Sequence, residues 1–331
     1  MALQLSGVGG IWPATLTPFT PDGRIDDEAL VRHIAETAGT PGVRAVVVNG
    51  HAGEATSLDR AERSHVVRLA VAAAGGVPVV AGIVADDTRT AVALCRDAAD
   101  AGAAGLLLFP PALFAQGAVL RPAMVHGLLS AVTAATDLPI VLFQLSRASG
   151  QAFSTELLVA LCEAFPQIVA VKDGTDVPEG VEDNSRALRA LPRPVTVLTT
   201  NNSWLFASLA YGADGILSGL GSVASPLLAA LLEAMARGDL AAARAANDRL
   251  VPLCRAFYRA PYLDCHNRMK TALHLLGRLP HPDPRPPLLP IGNDDRARIR
   301  DALVASGLLE ASARLATPAG LAVPGAMPLN T

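Results

Sequence analysis

Ile168-Val169-Ala170-Val171-Lys172-Asp173-Gly174-Thr175 is the stretch from which the fold of this chain can be read. Its first four residues are apolar and, except for Ala170, β-branched, the pattern of a short strand buried on both faces. Asp173-Gly174 reads as the turn that ends the strand. Lys172 stands between strand and turn. An unpaired ammonium is costly to bury, so a lysine at this point either pairs with a carboxylate or becomes a neutral, nucleophilic amine. The composition bears on that choice. The chain carries 27 basic residues, of which only Lys172 and Lys270 are lysines and the other 25 are arginines. Where a positive charge suffices, this sequence uses Arg. At 172 it uses the one side chain of the two that can form a Schiff base. The residues alone leave both readings open, an imine-forming amine and a paired strand-end lysine.

Outward from this strand the same alternation repeats. Short apolar runs at 10–17, 43–48, 77–83, 104–109, 138–144, 168–172, 195–199 and 215–218 read as strands. Helical patterns follow them at 26–38, 58–74, 87–101, 121–135, 154–164, 182–190, 203–211 and 226–237. Eight strand–helix units with continuous apolar strands point to an α/β chain folded as a (β/α)8 TIM barrel. A doubly wound sheet is the rival, but no GxGxxG follows the first strand. Three more helices are expected at 240–258, 267–276 and 294–306, the last two joined by the extended proline-rich linker 280–287. The organisation expected is a barrel over 1–237, a C-terminal helical extension over 238–310 and a loosely ordered Ala/Pro/Gly/Leu-rich tail over 311–331.

Composition narrows the function classes. Net charge is −3 across 331 residues, with 51% hydrophobic and 17% charged. No basic run interleaves with aromatics, so no nucleic-acid partner is expected. No apolar run reaches the roughly 20 residues that span a bilayer. The opening Met-Ala-Leu-Gln-Leu-Ser lacks the charged and apolar regions of a secretory leader, and a cytoplasmic location is expected. Cys95, Cys162, Cys254 and Cys265 show no CxxC pair or metal-like spacing and read as reduced helix thiols.

In such a barrel the chemistry sits at the C-terminal ends of the strands. There the chain places Asn49-Gly50-His51-Ala52-Gly53-Glu54, Phe143-Gln144-Leu145-Ser146-Arg147, Lys172-Asp173, Thr199-Thr200-Asn201-Asn202 and Ser218-Gly219-Leu220-Gly221. With Ala14-Thr-Leu-Thr-Pro-Phe19, the Gly50-x-x-Gly53-Glu54 loop followed by Leu58 and Glu62-Arg63, the Ala-Val-Lys172-Asp strand end and Gly212-Ala-Asp-Gly215-Ile, the chain resembles the dihydrodipicolinate synthase / N-acetylneuraminate lyase family over about residues 8–310. That family comprises class I, Schiff-base pyruvate aldolases and dehydratases. The resemblance implies a barrel with a C-terminal helical extension, a small-molecule 2-oxo acid substrate, no metal or organic cofactor, and a homo-oligomer, tetramer or dimer. It makes Lys172 the imine-forming residue. The chain departs from the family where the glycine loop carries His51-Ala52 in place of two hydroxyl residues, and where Phe143 replaces a tyrosine. The tyrosine pair expected after strand four is replaced within Pro110–Phe114. These losses remove the proton relay of the lysine-pathway synthase.

His51 is the expected substitute, since an imidazole in that loop titrates near pH 6–7 and can move protons; an exposed loop histidine is the alternative. Ala52 keeps a backbone N–H that the resemblance assigns to the substrate carboxylate. Arg147 is a candidate clamp for a second carboxylate, or a solvated arginine. Asn201 and Asn202 suit a polyhydroxylated substrate, or cap the next helix. Phe143 and Leu217, at the ends of strands five and eight, complete the expected substrate-binding set. Glu54 is expected to order its loop and Asp173 to be a turn residue. His266 and Lys270 are expected to make structural or subunit contacts. The glycines 215, 219 and 221 could cradle a phosphate, although no lysine or arginine lies nearby in sequence. The function expected is a Schiff-base lyase acting on a 2-oxo acid, by aldol cleavage, condensation or dehydration, with a 2-keto-3-deoxy sugar acid or a related compound as substrate. The alternatives are synthase-type pyruvate condensation and a non-catalytic 2-oxo-acid-binding protein.

Overall fold

The computed structural model describes Leu5 and residues 7–310. Eight strands form one sheet: β1 (Gly10–Pro13), β2 (Val46–Val48), β3 (Val79–Ile83), β4 (Gly105–Leu108), β5 (Ile140–Gln144), β6 (Ile168–Asp173), β7 (Thr196–Thr199) and β8 (Gly215–Ser218). Every neighbouring pair is parallel, in the order β1-β8-β7-β6-β5-β4-β3-β2. Isolated parallel bridges Ile11↔Val43 and Ala14↔Val47 close the ring. At this seam Ile11 N–H donates to Gly42 O at 3.0 Å and Thr15 N–H to Val47 O at 2.8 Å. The expected (β/α)8 barrel is therefore the fold observed. Most strand residues are wholly buried, which is why the strands read as unbroken apolar runs.

Eight helices follow the strands: α1 (Asp27–Ala38), α2 (Arg60–Ala73), α3 (Thr88–Asp100), α4 (Pro122–Thr133), α5 (Thr155–Ala164), α6 (Pro178–Arg189), α7 (Leu205–Ala210) and α8 (Gly221–Ala236). Their starts are written in side chains. Asp26, Asp87 and Ser154 accept from backbone N–H groups as N-caps, and Asp59 with Glu62 forms a reciprocal capping box. Strands β1 and β2 are shorter than the expected 10–17 and 43–48, and two barrel helices start more than two residues from the expected positions. Helix α6 begins at Pro178 rather than near 182, because Pro at the first helical position loses no hydrogen bond. Helix α8 begins at Gly221 and runs through Pro226, the discontinuity being absorbed at Ala224, whose φ/ψ of −127/29 is non-helical.

Beyond the barrel come α9 (Leu240–Phe257), α10 (Cys265–Leu275) and α11 (Asn293–Ala305). Helix α9 packs on α8 and α11. The proline-rich linker between α10 and α11 carries neither helix nor strand, as expected, and is pinned by Arg285. This guanidinium pairs with Glu62, donates to Gly23 O and Ser57 O at 2.7 Å each, and lies 4.5 Å from the Phe19 ring centroid. The expected tail, 311–331, lies outside the described residues. Among the described residues no helix is long and apolar enough to cross a membrane. The four cysteines are buried, unbridged thiols.

Candidate active site

Strand β6 delivers Lys172 to the C-terminal rim, in register with Phe143 of β5 and Leu198 of β7. The lysine is only 6% exposed. Its Nζ lies 4.1 Å from the Phe143 ring centroid and 6.0 Å from that of Phe109. Among the described residues no carboxylate comes within 4.0 Å of it and no protein group hydrogen-bonds it. Of the two readings left open by the sequence, the lysine paired with a carboxylate is not the arrangement found. Ring faces offset only part of an ammonium's lost hydration. Burial therefore pushes the Lys172 pKa down to about 7, making the neutral amine abundant at physiological pH.

Lys172 opens into a cavity of about 520 Å³ at the strand ends. Six sequence-designated residues line it together: Lys172, His51, Ala52, Phe143, Asn201 and Asn202. His51 and Phe143 line it and pack with the buried Phe109 ring, with centroid separations of 4.7 Å for His51–Phe109, 6.0 Å for His51–Phe143 and 5.1 Å for the edge-on Phe109–Phe143 pair. His51 keeps an exposed edge toward the cavity, yet these rings strip water from its imidazole. That desolvation, followed by the charge of Lys172, lowers its pKa to about 4. His51 is thus a neutral acceptor at physiological pH, well below the ordinary histidine value expected from sequence.

Two designated residues stand apart. Arg147 is exposed and outside the cavity: its backbone N–H donates to Asp176 Oδ1 at 2.9 Å, and its guanidinium lies against Gly180 of α6. The carboxylate of Asp176 also accepts from Ala148 N, so it holds this short turn at the cavity edge, where Asp176, Ser146 and Ser149 line the space and Arg147 does not. Leu217 pairs with Trp12 across β8 and β1 and is fully buried in the core, off the cavity lining.

The amide side chains are partly committed to structure. Asn201 Nδ2 donates to Asp173 O at 3.2 Å and to Thr199 Oγ1 at 3.3 Å. Asn202 Nδ2 donates to Thr200 O at 2.8 Å, and its Oδ1 accepts from Ser218 Oγ, which lies 3.3 Å from Tyr258 Oη. Neither side chain caps the short 3-10 turn that follows. Asp173 is fully buried and accepts from Thr175 N at 2.7 Å and Asn184 Nδ2 at 3.0 Å; burial raises its pKa. It ties β6 to α6, a structural role. Glu54, held at φ 52, forms a buried ion pair with Lys270 of α10, whose Nζ lies 4.1 Å from the Phe19 ring centroid. This pair fixes the glycine loop against the C-terminal extension.

The glycines after β7 serve packing. A Cβ at Gly215 would stand 2.3 Å from Gly10 O, and one at Gly221 would stand 3.0 Å from Pro13. Close approach of β1 requires glycine at these two positions, and Gly219 instead faces Met269, Ala52 and His266. No group of three or more His, Cys, Asp or Glu suited to a metal ion occurs among the described residues.

The C-terminal extension supplies cavity residues that sequence reasoning did not assign to the site: Tyr258, Tyr262 and His266. His266 was expected to make a structural contact. Helix α10 instead begins at Cys265 and turns the imidazole into the cavity. Burial first, and then the charges of His51, Lys172 and Lys270, lower its pKa to about 3. One signal was available: the chain has only three tyrosines, and two of them stand four residues apart just before His266.

Comparison with known proteins agrees with this geometry. The dihydrodipicolinate synthetase family model matches residues 7–306. A 4-hydroxy-tetrahydrodipicolinate synthase of Methanothrix thermoacetophila is 31% identical over 89% of this chain and 95% of its own. An uncharacterised DapA-like lyase of Halobacterium salinarum is 33% identical over 92% and 95%. Among solved structures, the E. coli K12 prophage protein YagE, in complex with pyruvate, superposes with a TM-score of 0.83 at 26% identity, covering 92% of this chain and 100% of that one. A monomeric dihydrodipicolinate synthase variant shares the fold with a TM-score of 0.84 at 24% identity, covering 91% and 98%. A family model spanning nearly the whole chain, relatives above 30% identity and a shared barrel lead to one conclusion: the chain belongs to the dihydrodipicolinate synthetase family of lyases.

Proposed function

We propose that the protein forms an imine between Lys172 Nζ and the ketone carbon of a 2-oxo acid. The observation that carries this reading is a barrel-rim lysine in a cavity of about 520 Å³ with no carboxylate within 4.0 Å among the described residues, its pKa pushed to about 7. The neutral amine adds to the ketone, and the carbinolamine loses its hydroxyl as water. The protonated imine that results is an electron sink. Breaking the C3–C4 bond, or removing a C3 proton, sends electrons to the iminium nitrogen and leaves an enamine, which in dehydration then expels the β-hydroxyl to give a conjugated iminium. Neutral His51, in the wall beside Lys172, accepts and returns the proton. The pyruvate complex of YagE supports a 2-oxo acid as ligand.

The cavity also supports a view of the substrate. Ser146, Ser149, Gln151 and Thr200 join the two asparagines on its polar side. Arg147 lies outside, so no clamp for a second carboxylate stands there. This lining suits a 2-keto-3-deoxy sugar acid, cleaved as an aldol or dehydrated. The relatives named as synthases support pyruvate condensation with aspartate semialdehyde as the second reading. Against it, the aromatic groups nearest Lys172 are Phe109 and Phe143, which carry no transferable proton.

The test is incubation with pyruvate, borohydride reduction and peptide mapping by mass spectrometry. The adduct is expected on Lys172 and is lost in Lys172→Ala. An adduct confined to Lys270, or none with any 2-oxo acid, overturns the proposal. Condensation of pyruvate with neutral polyhydroxy aldehydes is expected to outpace condensation with aspartate semialdehyde.

A further inference from the structure

We propose that His266, carried by α10 outside the barrel, is a second catalytic residue that works with His51 as a pair taking up one substrate proton at a time. The inference rests on the imine reading above and adds a group to it. His51 and His266 reach the same cavity from different parts of the chain, the glycine loop after β2 and the C-terminal extension. Around Gly219 the two segments meet: a Cβ there would stand 3.4 Å from Ala52 Cβ and 3.5 Å from His266 Cδ2. Both histidines, together with Tyr262, also line an adjoining cavity of about 390 Å³.

Of the seven histidines, His33, His51, His266 and His281 make no side-chain hydrogen bond among the described residues, and of these four His51 and His266 are the ones that line the cavity. His65 is paired with Asp27, His126 with Ser130, and His274 with Leu279 O. Among the described residues His51 and His266 have no protein hydrogen-bond partner, and neither has a ring nitrogen among the sealed, unsatisfied buried atoms. Their nitrogens are therefore available to a ligand in the cavity. Two imidazoles open to one cavity can serve as acid and base.

The charged groups acting on His266 are His51, Lys172 and Lys270, all of one sign when protonated. Charges of one sign facing one cavity disfavour double protonation. Both rings are therefore neutral at rest, and when one takes up the substrate proton the other stays neutral. The C3–H bond of the iminium breaks, its electrons form the C2=C3 bond of the enamine, and the iminium nitrogen becomes neutral. The proton goes to one imidazole. That imidazolium then protonates the acceptor carbonyl oxygen in condensation, or the departing hydroxyl in dehydration, and both rings return to neutral.

Pyruvate alone tests this, because its methyl protons exchange with solvent each time the enamine forms. Exchange in D2O is followed by proton NMR for wild type, His51→Gln, His266→Gln and the double variant, with borohydride trapping of each in parallel. Each single variant is expected to slow exchange roughly 10²-fold while trapping at Lys172 stays at the wild-type level. The double variant is expected to be no slower than the slower single one, as for groups acting as a unit. Added imidazole is expected to restore part of the exchange in His266→Ala, which a packing role would not permit. Wild-type exchange in His266→Gln overturns the proposal. So does a loss of exchange that only tracks a loss of trapping. Absence of trapping in the wild type overturns the imine reading itself, a distinguishable failure.

Discussion

Replacing Lys172 by Met should make the protein more stable and inactive, with a pH dependence that reports the amine directly. Met keeps the length of the side chain and removes its charge. In the folded protein burial lowers the Lys172 pKa from 10.5 to about 7, whereas in the unfolded chain the amine keeps its ordinary value. At ~1.4 kcal/mol per pH unit, the fall from 10.5 to about 7 corresponds to a burden of about 5 kcal/mol on the folded state, an upper figure for a buried group. The sign follows from proton counts. Between pH 7 and 10.5 the unfolded chain binds the proton and the folded one does not, so wild-type stability rises with pH in this window. The burden is full below about pH 7 and is gone above 10.5. Unfolding of both proteins in urea, followed by circular dichroism at pH 6, 7, 8.5 and 9.5, measures the difference. Lys172→Met should be the more stable form at pH 6 and 7. Its advantage should shrink by about 3 kcal/mol between pH 7 and 9.5, in line with ~1.4 kcal/mol per unit. Packing differences between Met and Lys add a constant and leave the slope untouched. A stability difference that does not change between pH 7 and 9.5 would falsify the depressed amine.

The same amine should set the acid side of the activity profile, with turnover falling below about pH 7 as Lys172 takes up its proton, while His51 remains neutral down to about pH 4. His51→Ala should lower the plateau by roughly 10²–10⁴-fold and keep the limb near pH 7; loss of that limb in the variant would assign it to the histidine instead. At the Glu54–Lys270 pair, Glu54→Gln leaves a buried ammonium without its counter-charge. A loss of ~3–5 kcal/mol in urea unfolding is expected, and unchanged stability would show that Lys270 sheds its proton freely.

The barrel could be read from the chain because each strand is buried on both faces and so is written as an apolar run. The polar residues that break those runs mark the catalytic rim, and six of the designated residues meet there. Arg147 failed as a cavity residue for a reason no linear pattern carries: Asp176, 29 positions on, captures its backbone N–H and turns the side chain outward. Leu217 was placed at the right strand end, but it belongs to the core against Trp12. His266 escaped notice because its role depends on how α10 docks over the barrel. Helical spacing reports which residues share a face and is silent on what that face meets. The Glu54–Lys270 pair spans 216 positions, and only the docking brings its members together.

Both lysines of this sequence are withdrawn from the surface, each with its Nζ 4.1 Å from the centre of a phenylalanine ring. Arginine supplies the exposed positive charge, so reactions selective for lysine amines have no outward-facing lysine to find. Acetylation, ubiquitin transfer and lysine-directed crosslinking must therefore act through Lys172, in the cavity, or through Lys270, locked to Glu54. A reagent that titrates lysine in the native protein becomes a count of active sites, and a fold that admits it at a second lysine has begun to open between the glycine loop and α10.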